Sequence, residues 1–511
     1  MLSKDAGLII KIVIKKVAIL SIVLGMFARC TVGPNFSSPE APEISSYVSR
    51  TNPEQTASAP VLAGEAQLFV YGKEVPNAWW ELFNSASLDH VIYQALSSSP
   101  TMASAEAVLQ QAAENAIAVH GNLFFPQVDL SGSSKNYWMT HKKMRGTSKL
   151  FNPNTTSNPN PTSAPIININ RFNLFNASLD VSFNFDVFGG TRRQVEAAIA
   201  DVDVKAYNLL ALHLTLASNV ATAAFREAML RAQIVIIRSM IEMESKRLSI
   251  AEKQLKAGSL SQLSIYAQTG QLEQTKARLP SLEKSLEQIR NQLAIYIGEL
   301  PSEACLPEFY LEDFTLPPEL PLSLPSSLVR RRPDILAAEA NLHEATAFVG
   351  VAIANLYPQF TLSAGYGPLK IKGSDLFSLQ AWVASLGASF TQPIFHGGQL
   401  IAERQKAIAV YDQALADYTE TVLEGFQQVA DALTALEHDA KELAFYASAM
   451  IQMKETLRIV SKQFELGGAN YLNLLDAERQ YLEATLKVAQ AQATRLADTA
   501  ALFQALGGGC E

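Results

Sequence analysis

The chain has 511 residues, 48% of them hydrophobic and 18% charged, with a formal net charge of −8. Its length exceeds a usual single domain and fits an elongated duplicated fold as well as several globular domains. The acidity and the lack of any Lys/Arg block exclude a nucleic-acid partner. Chemistry-bearing motifs are missing as well. Seven scattered histidines make no HExxH spacing, and there is no CxxC, no phosphate-binding Gly-x-x-x-x-Gly-Lys loop and no nucleophile elbow. The expectation is a protein that is not an enzyme and carries no cofactor or metal.

At the N-terminus Lys4, Lys11, Lys15 and Lys16 precede an apolar run over 17–28. A basic segment before a short apolar core is the pattern of a secretory signal, predicted here over 1–29, and is too short for a comfortable membrane-spanning helix. Met26-Phe27-Ala28-Arg29-Cys30 resembles a bacterial lipoprotein cleavage site, in which Cys30 becomes the lipidated first residue; Arg29 departs from the small residue wanted there. With Cys30 set aside, Cys305 and Cys510 remain. In an oxidising envelope they either close a disulfide or stay as two unpaired thiols. Residues 30–78, rich in Pro, Ser, Ala and Glu, read as an extended, lipid-anchored leader.

Packed structure begins at Trp79-Trp80-Glu81-Leu82-Phe83, followed by helices over about 88–96 and 101–123 and a stop at Pro126. The period then changes to two. Leu179, Val181, Phe183, Phe185 and Val187 alternate with Ser178, Asp180, Ser182, Asn184 and Asp186. Strands are predicted over about 127–140 and 172–188, long enough to cross a bilayer at a tilt, with one apolar face and one small polar face. The Asn/Pro-rich loop between them suits extracellular exposure. A proline-free helix follows over about 191–257 and a return helix over about 261–298; the first alone would run roughly 100 Å. In the second, Leu272, Leu279, Leu286 and Leu293 recur every seven residues beside Leu282, Ile289 and Tyr296, a coiled-coil seam. Pro280 within it predicts a kink or a lost hydrogen bond.

Residues 300–325 are proline-rich and read as a linker wrapping across the surface. The chain then repeats itself. The first repeat spans 79–299 and the second 326–511. Arg332-Pro333-Asp334 starts a helix, and Tyr357-Pro358-Gln359 answers Phe125-Pro126-Gln127. Strands are predicted over about 359–371 and 380–393, then helices over about 399–466 and 471–506. Gly467 and Gly468 read as the tip of a helical hairpin, and Gly258 as the same tip built earlier, at an offset of 209 positions (467 − 258). Trp79 and Trp80 are expected in packing and Trp382 at a membrane interface.

The fold class is therefore an α+β membrane protein: a duplicated repeat with four transmembrane strands per chain and a long α-helical barrel. Four strands cannot close a barrel, and an open edge in lipid leaves backbone groups unpaired. Two chains would give eight strands and a filled interior; three give twelve and leave a channel. The shape is that of a conduit through a lipid bilayer, its barrel shared between copies of the chain.

These residues also resemble a known family, the TolC/OprM-type outer-membrane factors and within it the NodT-type lipoproteins. The resemblance rests on Cys30-Thr31-Val32-Gly33-Pro34-Asn35-Phe36, Trp79 to Phe83, Arg330-Arg331-Arg332-Pro333-Asp334-Ile335 with Ala338-Glu339, Pro393-Ile394-Phe395 with Gly397-Gly398, and Leu506-Gly507-Gly508-Gly509. It implies a trimer with a twelve-stranded barrel, docking of a periplasmic adaptor at the tips, an inner-membrane pump of RND type, and export of small toxic compounds. It further implies a periplasmic gate near the second tip, at positions matching Asn473 and Asp476. Asn473 departs from the family's paired aspartates, and Asp476 also reads simply as a solvated acid paired with Arg479 or Gln480. Two other readings share these features in part: an exit duct for secreted polypeptides, and a coiled-coil envelope tether without a pore. The alternating strands speak against the tether.

Overall fold

The computed structural model describes residues 31–42, 44, 46–48, 53–138, 171–371, 376 and 382–508. Six strands are β1 (Leu68–Tyr71), β2 (Gln127–Trp138), β3 (Arg171–Phe185), β4 (Glu319–Leu322), β5 (Gln359–Lys370) and β6 (Trp382–Thr391). The helices are α1 (Ala86–Ser98), α2 (Pro100–Phe124), α3 (Gly190–Lys256), α4 (Gln262–Tyr296), the single turn α5 (Pro325–Leu328), α6 (Pro333–Ala354), α7 (Gln399–Glu465) and α8 (Tyr471–Ala505). Short 3-10 turns lie at Trp79–Phe83 and Leu311–Asp313.

The internal repeat governs the long helices. α3 and α7 each have 67 residues, α4 and α8 each have 35, and every start and end differs by 209 (399 − 190; 505 − 296). Glycines with positive φ recur at the same offset: Gly189 and Gly398, Gly258 and Gly467, Gly298 and Gly507. The strands β2 and β5 instead differ by 232 (359 − 127), because the first hairpin carries the longer connection.

The chain forms two compact units that cut across the repeat, one holding residues 115–197 and 346–408 with the start of the chain, the other holding 36–114, 198–345 and 409 onward. In the first, four strands pair antiparallel in the order β2-β3-β5-β6. The register puts Asp129 opposite Asp180, Asp180 opposite Gly365, and Gly365 opposite Ser385, so the small polar residues share one face. On the other face lie Leu130, Leu179, Tyr366 and Leu386. Leu130 is 83% exposed and Leu386 79%. An exposed apolar sheet face is costly in water and natural against lipid. Strands of 10–15 residues meet the ~9–11 a tilted crossing needs. Among the described residues β2 and β6 each pair along one edge only. Aromatic rings sit near both strand ends: Tyr366 with Trp382 at 5.0 Å, and Phe360 with Phe390 at 6.3 Å.

The second unit holds the main core. Trp79, Phe83, Phe225, Phe314 and Phe503 are almost wholly buried, with Phe83 and Phe225 ring centroids 5.0 Å apart. Trp80 is buried as well. The heptad positions Leu272, Ile289 and Leu293 of α4 and Leu475, Ala489, Leu496 and Phe503 of α8 are buried, as a seam requires. α4 runs unbroken through Pro280, which has no N–H to donate to the carbonyl of Lys276. Buried residues on both sides, Thr275 and Ile289 among them, hold the helix together across that gap.

Two segments differ from their sequence reading. Residues 300–325 do more than wrap the surface: alongside exposed positions such as Leu300 and Leu324, Phe309, Leu320 and Leu322 are fully buried and β4 pairs in parallel with β1. The prolines are no obstacle, since the pairing asks them only to accept; Leu68 N donates to Pro318 O and Gly72 N to Leu322 O. The leader likewise contributes β1 and buries Thr56 and Gln67. Fully buried Arg495 of α8 holds it, donating to Ala63 O, Glu65 O and Thr56 Oγ1 at 2.6–3.0 Å. Composition marked these stretches as irregular, and their occasional apolar side chains are what anchor them.

Candidate functional site

Both hairpin tips are wired alike. After α3, Gly258 takes φ +74, and Ser259 N donates to Gln254 O while Gly258 N donates to Leu255 O. After α7, Gly467 takes φ +74, with Gly468 N donating to Gln463 O and Gly467 N to Phe464 O. Each is a left-handed helix stop of the Schellman kind. The next helix is then capped by a side chain, Ser261 on Ser264 N and Asn470 on Asn473 N. Of the two glycines at the second tip, only Gly467 has a positive φ. Leu263 and Leu466 beside the tips are each 77% exposed.

Asn473 and Asp476 sit in the opening turns of α8. Asn473 is exposed and its backbone N–H is used by the Asn470 cap. Asp476 is half exposed, and Gln480 Nε2 donates to its Oδ2 at 2.9 Å. Two guanidinium groups flank its other oxygen, Arg479 at 3.7 Å from the same helix and Arg247 at 4.0 Å from α3. Arg247 was not legible as a partner, because nothing in the sequence says which face of α3 meets α8. One residue before it, Lys246 bonds to Glu242 at 2.8 Å, and that bond raises the lysine pKa and lowers the glutamate's. The tip thus mixes both signs of charge, so an acidic ring alone does not describe it.

The segment following Cys30 is clamped. Val32 N donates to Phe188 O, Arg193 Nη2 to Asn35 Oδ1 at 2.6 Å, and Arg193 Nε to Val32 O. Gly33 has φ +94, and a Cβ there would fall 2.6 Å from Gly350 Cα. Residues 32–35 therefore lie against the turn between β3 and α3. Cys30 itself lies outside the described residues, as does Cys510; Cys305 is exposed. Among the described residues no helix is long and apolar enough to cross a membrane, and no group of His, Cys, Asp and Glu is arranged to hold a metal.

The sequence profile described as Outer membrane efflux protein matches the chain twice, over residues 91–299 and 324–508. The chain belongs to that family. It is similar to the pyoverdine export outer membrane protein OpmQ of Pseudomonas aeruginosa, 28% identical over 432 residues that cover 84% of this chain and 87% of that one. It is also similar to Nodulation protein T of Rhizobium leguminosarum bv. viciae, 26% identical over 487 residues, 95% of this chain and 92% of that one. Among solved structures the outer-membrane channel OprN superposes with a TM-score of 0.76 at 26% identity, covering 94% of this chain and 99% of that one. The fold is thus that of the TolC-like outer-membrane channels, mostly helical with β-sheet. The chain is an outer-membrane efflux channel component that extends into the periplasm.

Proposed function

We propose that three copies of this chain share one twelve-stranded barrel and form the passive exit duct of a tripartite efflux system for small toxic compounds. The observation that carries this reading is the four-stranded sheet whose outer strands β2 and β6, among the described residues, each pair along one edge, together with its exposed apolar face. In lipid, β2 of one copy must pair with β6 of the next, and only the larger assembly leaves a lumen. The small polar face, with Ser131, Ser178 and Asp180 hydrogen-bonded together, lines that lumen. A periplasmic adaptor docks at the tips around Gly258, Gly467 and Gly468, where Leu263 and Leu466 offer apolar contacts, and an inner-membrane pump of RND type drives the flux. Cys30 is acylated and anchors the clamped leader in the outer membrane. A pyoverdine exporter among the relatives supports a small-solute cargo.

Single-channel recording on purified, reconstituted protein tests the duct. Stepwise conductance is the expected result; a bilayer that stays silent after the tip is opened by mutation of Arg247 contradicts it. Incorporation of labelled fatty acid that disappears in Cys30→Ala tests the anchor.

A further inference from the structure

We propose that Asp439 on α7 and Asp498 on α8 share a single proton across the helix interface and act as a pH-responsive latch on the hairpin that carries Asp476. The repeat itself exposes the pair. At the offset of 209, Asp439 corresponds to Leu230 and Asp498 to Ile289. Leu230 is 4% exposed and Ile289 6%, so these are core positions of the first hairpin. In the second hairpin the same two positions are carboxyl groups.

The surroundings explain how two acids fit there. Asp439, Glu442 and Tyr446 follow one face of α7, and Lys487, Gln490, Ala491 and Thr494 one face of α8; together they line a groove of about 170 Å³. Asp498, one turn beyond Thr494, continues that face. Next to the groove, Leu443, Val488 and the groove residue Ala491 form a small core with Ala59 and Val61 of the leader. The charged and titratable groups near the pair come from three segments, and beside Asp439 on α7 they begin with His438 and with Glu437, which is bonded to Lys441 at 2.6 Å. From α7 come Asp439, then Glu442 with the Tyr446 phenol bonded to it. From α8 come Lys487 at the tipward end of the groove, and Arg495, whose donors are turned to Ala63, Glu65 and Thr56 of the leader. The leader itself brings Glu65. None of the cations bonds Asp498, and its Oδ2 is buried without a donor.

Two carboxylates are acceptors only, so a hydrogen bond between them exists only with a proton between them. Burial first, then the bond to and charge of Asp439, push Asp498 up to about 8 from the usual 3.8. The sign follows from proton counting. Between about pH 4 and 8 the folded chain keeps a proton that the unfolded chain releases, so the interface weakens as pH rises through that window. Above it the two helices face each other with like charges.

Hydrogen exchange of the full-length protein tests the latch, with α7 and α8 segments compared at pH 6 and pH 9 after correction for intrinsic rates. The expected result is a fall in protection of roughly tenfold or more, since one unit of linked pKa shift is a factor of ten. The double substitution Asp439→Leu with Asp498→Ile restores the residues of the first repeat and should remove the pH dependence while keeping the fold. Asp498→Asn, which can donate to Asp439 at any pH, should do the same. Flat protection in the unmodified chain overturns the proposal, as does an unchanged slope in either variant. The readout is local to the hairpin, so it is independent of whether the chain conducts.

Discussion

Replacing Arg247 by alanine is expected to loosen the tip without unfolding the chain. Asp476 contacts Arg247 at 4.0 Å and Arg479 at 3.7 Å, with all three side chains 29–45% exposed. At that exposure each pair is worth about 0.5 kcal/mol, because solvent screens it and both side chains lose freedom. Arg247 is the one that ties α8 to α3; Arg479 lies on α8 itself and stays with Asp476 when the helices part. In a trimer that opens as a unit, three Arg247 pairs sum to about 1.5 kcal/mol, or about a tenfold shift in the closed-to-open ratio. Planar-bilayer recordings of Arg247→Ala should therefore show open probability raised about tenfold, and Asp476→Ala should match that rise and lose cation preference as well. Conductance, opening and selectivity unchanged in both variants would refute the assignment of Asp476 to the gate.

Thermal unfolding should separate the two tip glycines: Gly467→Ala costs about 1 kcal/mol because its φ is +74, whereas Gly468→Ala stays within about 0.5 kcal/mol. Arg495→Met strands the two carbonyls it holds, while Thr56 Oγ1 keeps the Gln67 N–H at 2.9 Å. Relief of a guanidinium whose burial pushes its pKa down to about 10 offsets part of that, leaving a loss of about 2–4 kcal/mol in denaturant melts and faster proteolysis of the leader. Gly33→Ala, which must push on Gly350, should release the clamp and make the bond after Thr31 more accessible to protease, with little change in global melting.

The long helices and strands were legible because their signals are periodic and appear twice. Period two placed the strands within a few residues; absence of proline placed α3 and α7, and seven-residue leucine spacing placed α4 and α8. The partition into units was not legible, since each unit draws on both repeats and only pairing of β3 with β5 joins the two halves of the sheet. The packing of 300–325 was hidden by its prolines, whose missing N–H groups suggested a loop although β4 needs only their carbonyls. At the candidate gate, Asp476 came from family resemblance, but Arg247 lies 229 positions earlier (476 − 247) and emerges only once α3 and α8 are packed. The acidic pair could have been read from the sequence alone: aligning the repeats at 209 puts Asp439 and Asp498 on Leu230 and Ile289, two apolar-to-acid changes at core positions of a seam.

The shared barrel is the central claim, and covalent linkage of its open edges tests it most directly. With Cys305 and Cys510 replaced by serine and Cys30 kept, Leu130→Cys on β2 is combined in turn with Ala384→Cys, Leu386→Cys or Ala388→Cys on β6, covering the possible registers of the outward face. Oxidation in the outer membrane should give covalent dimers and trimers for at least one combination, with nothing larger. Chains that remain monomers in every combination, or ladders that stop at dimers or run past trimers, would contradict a twelve-stranded barrel made by three copies.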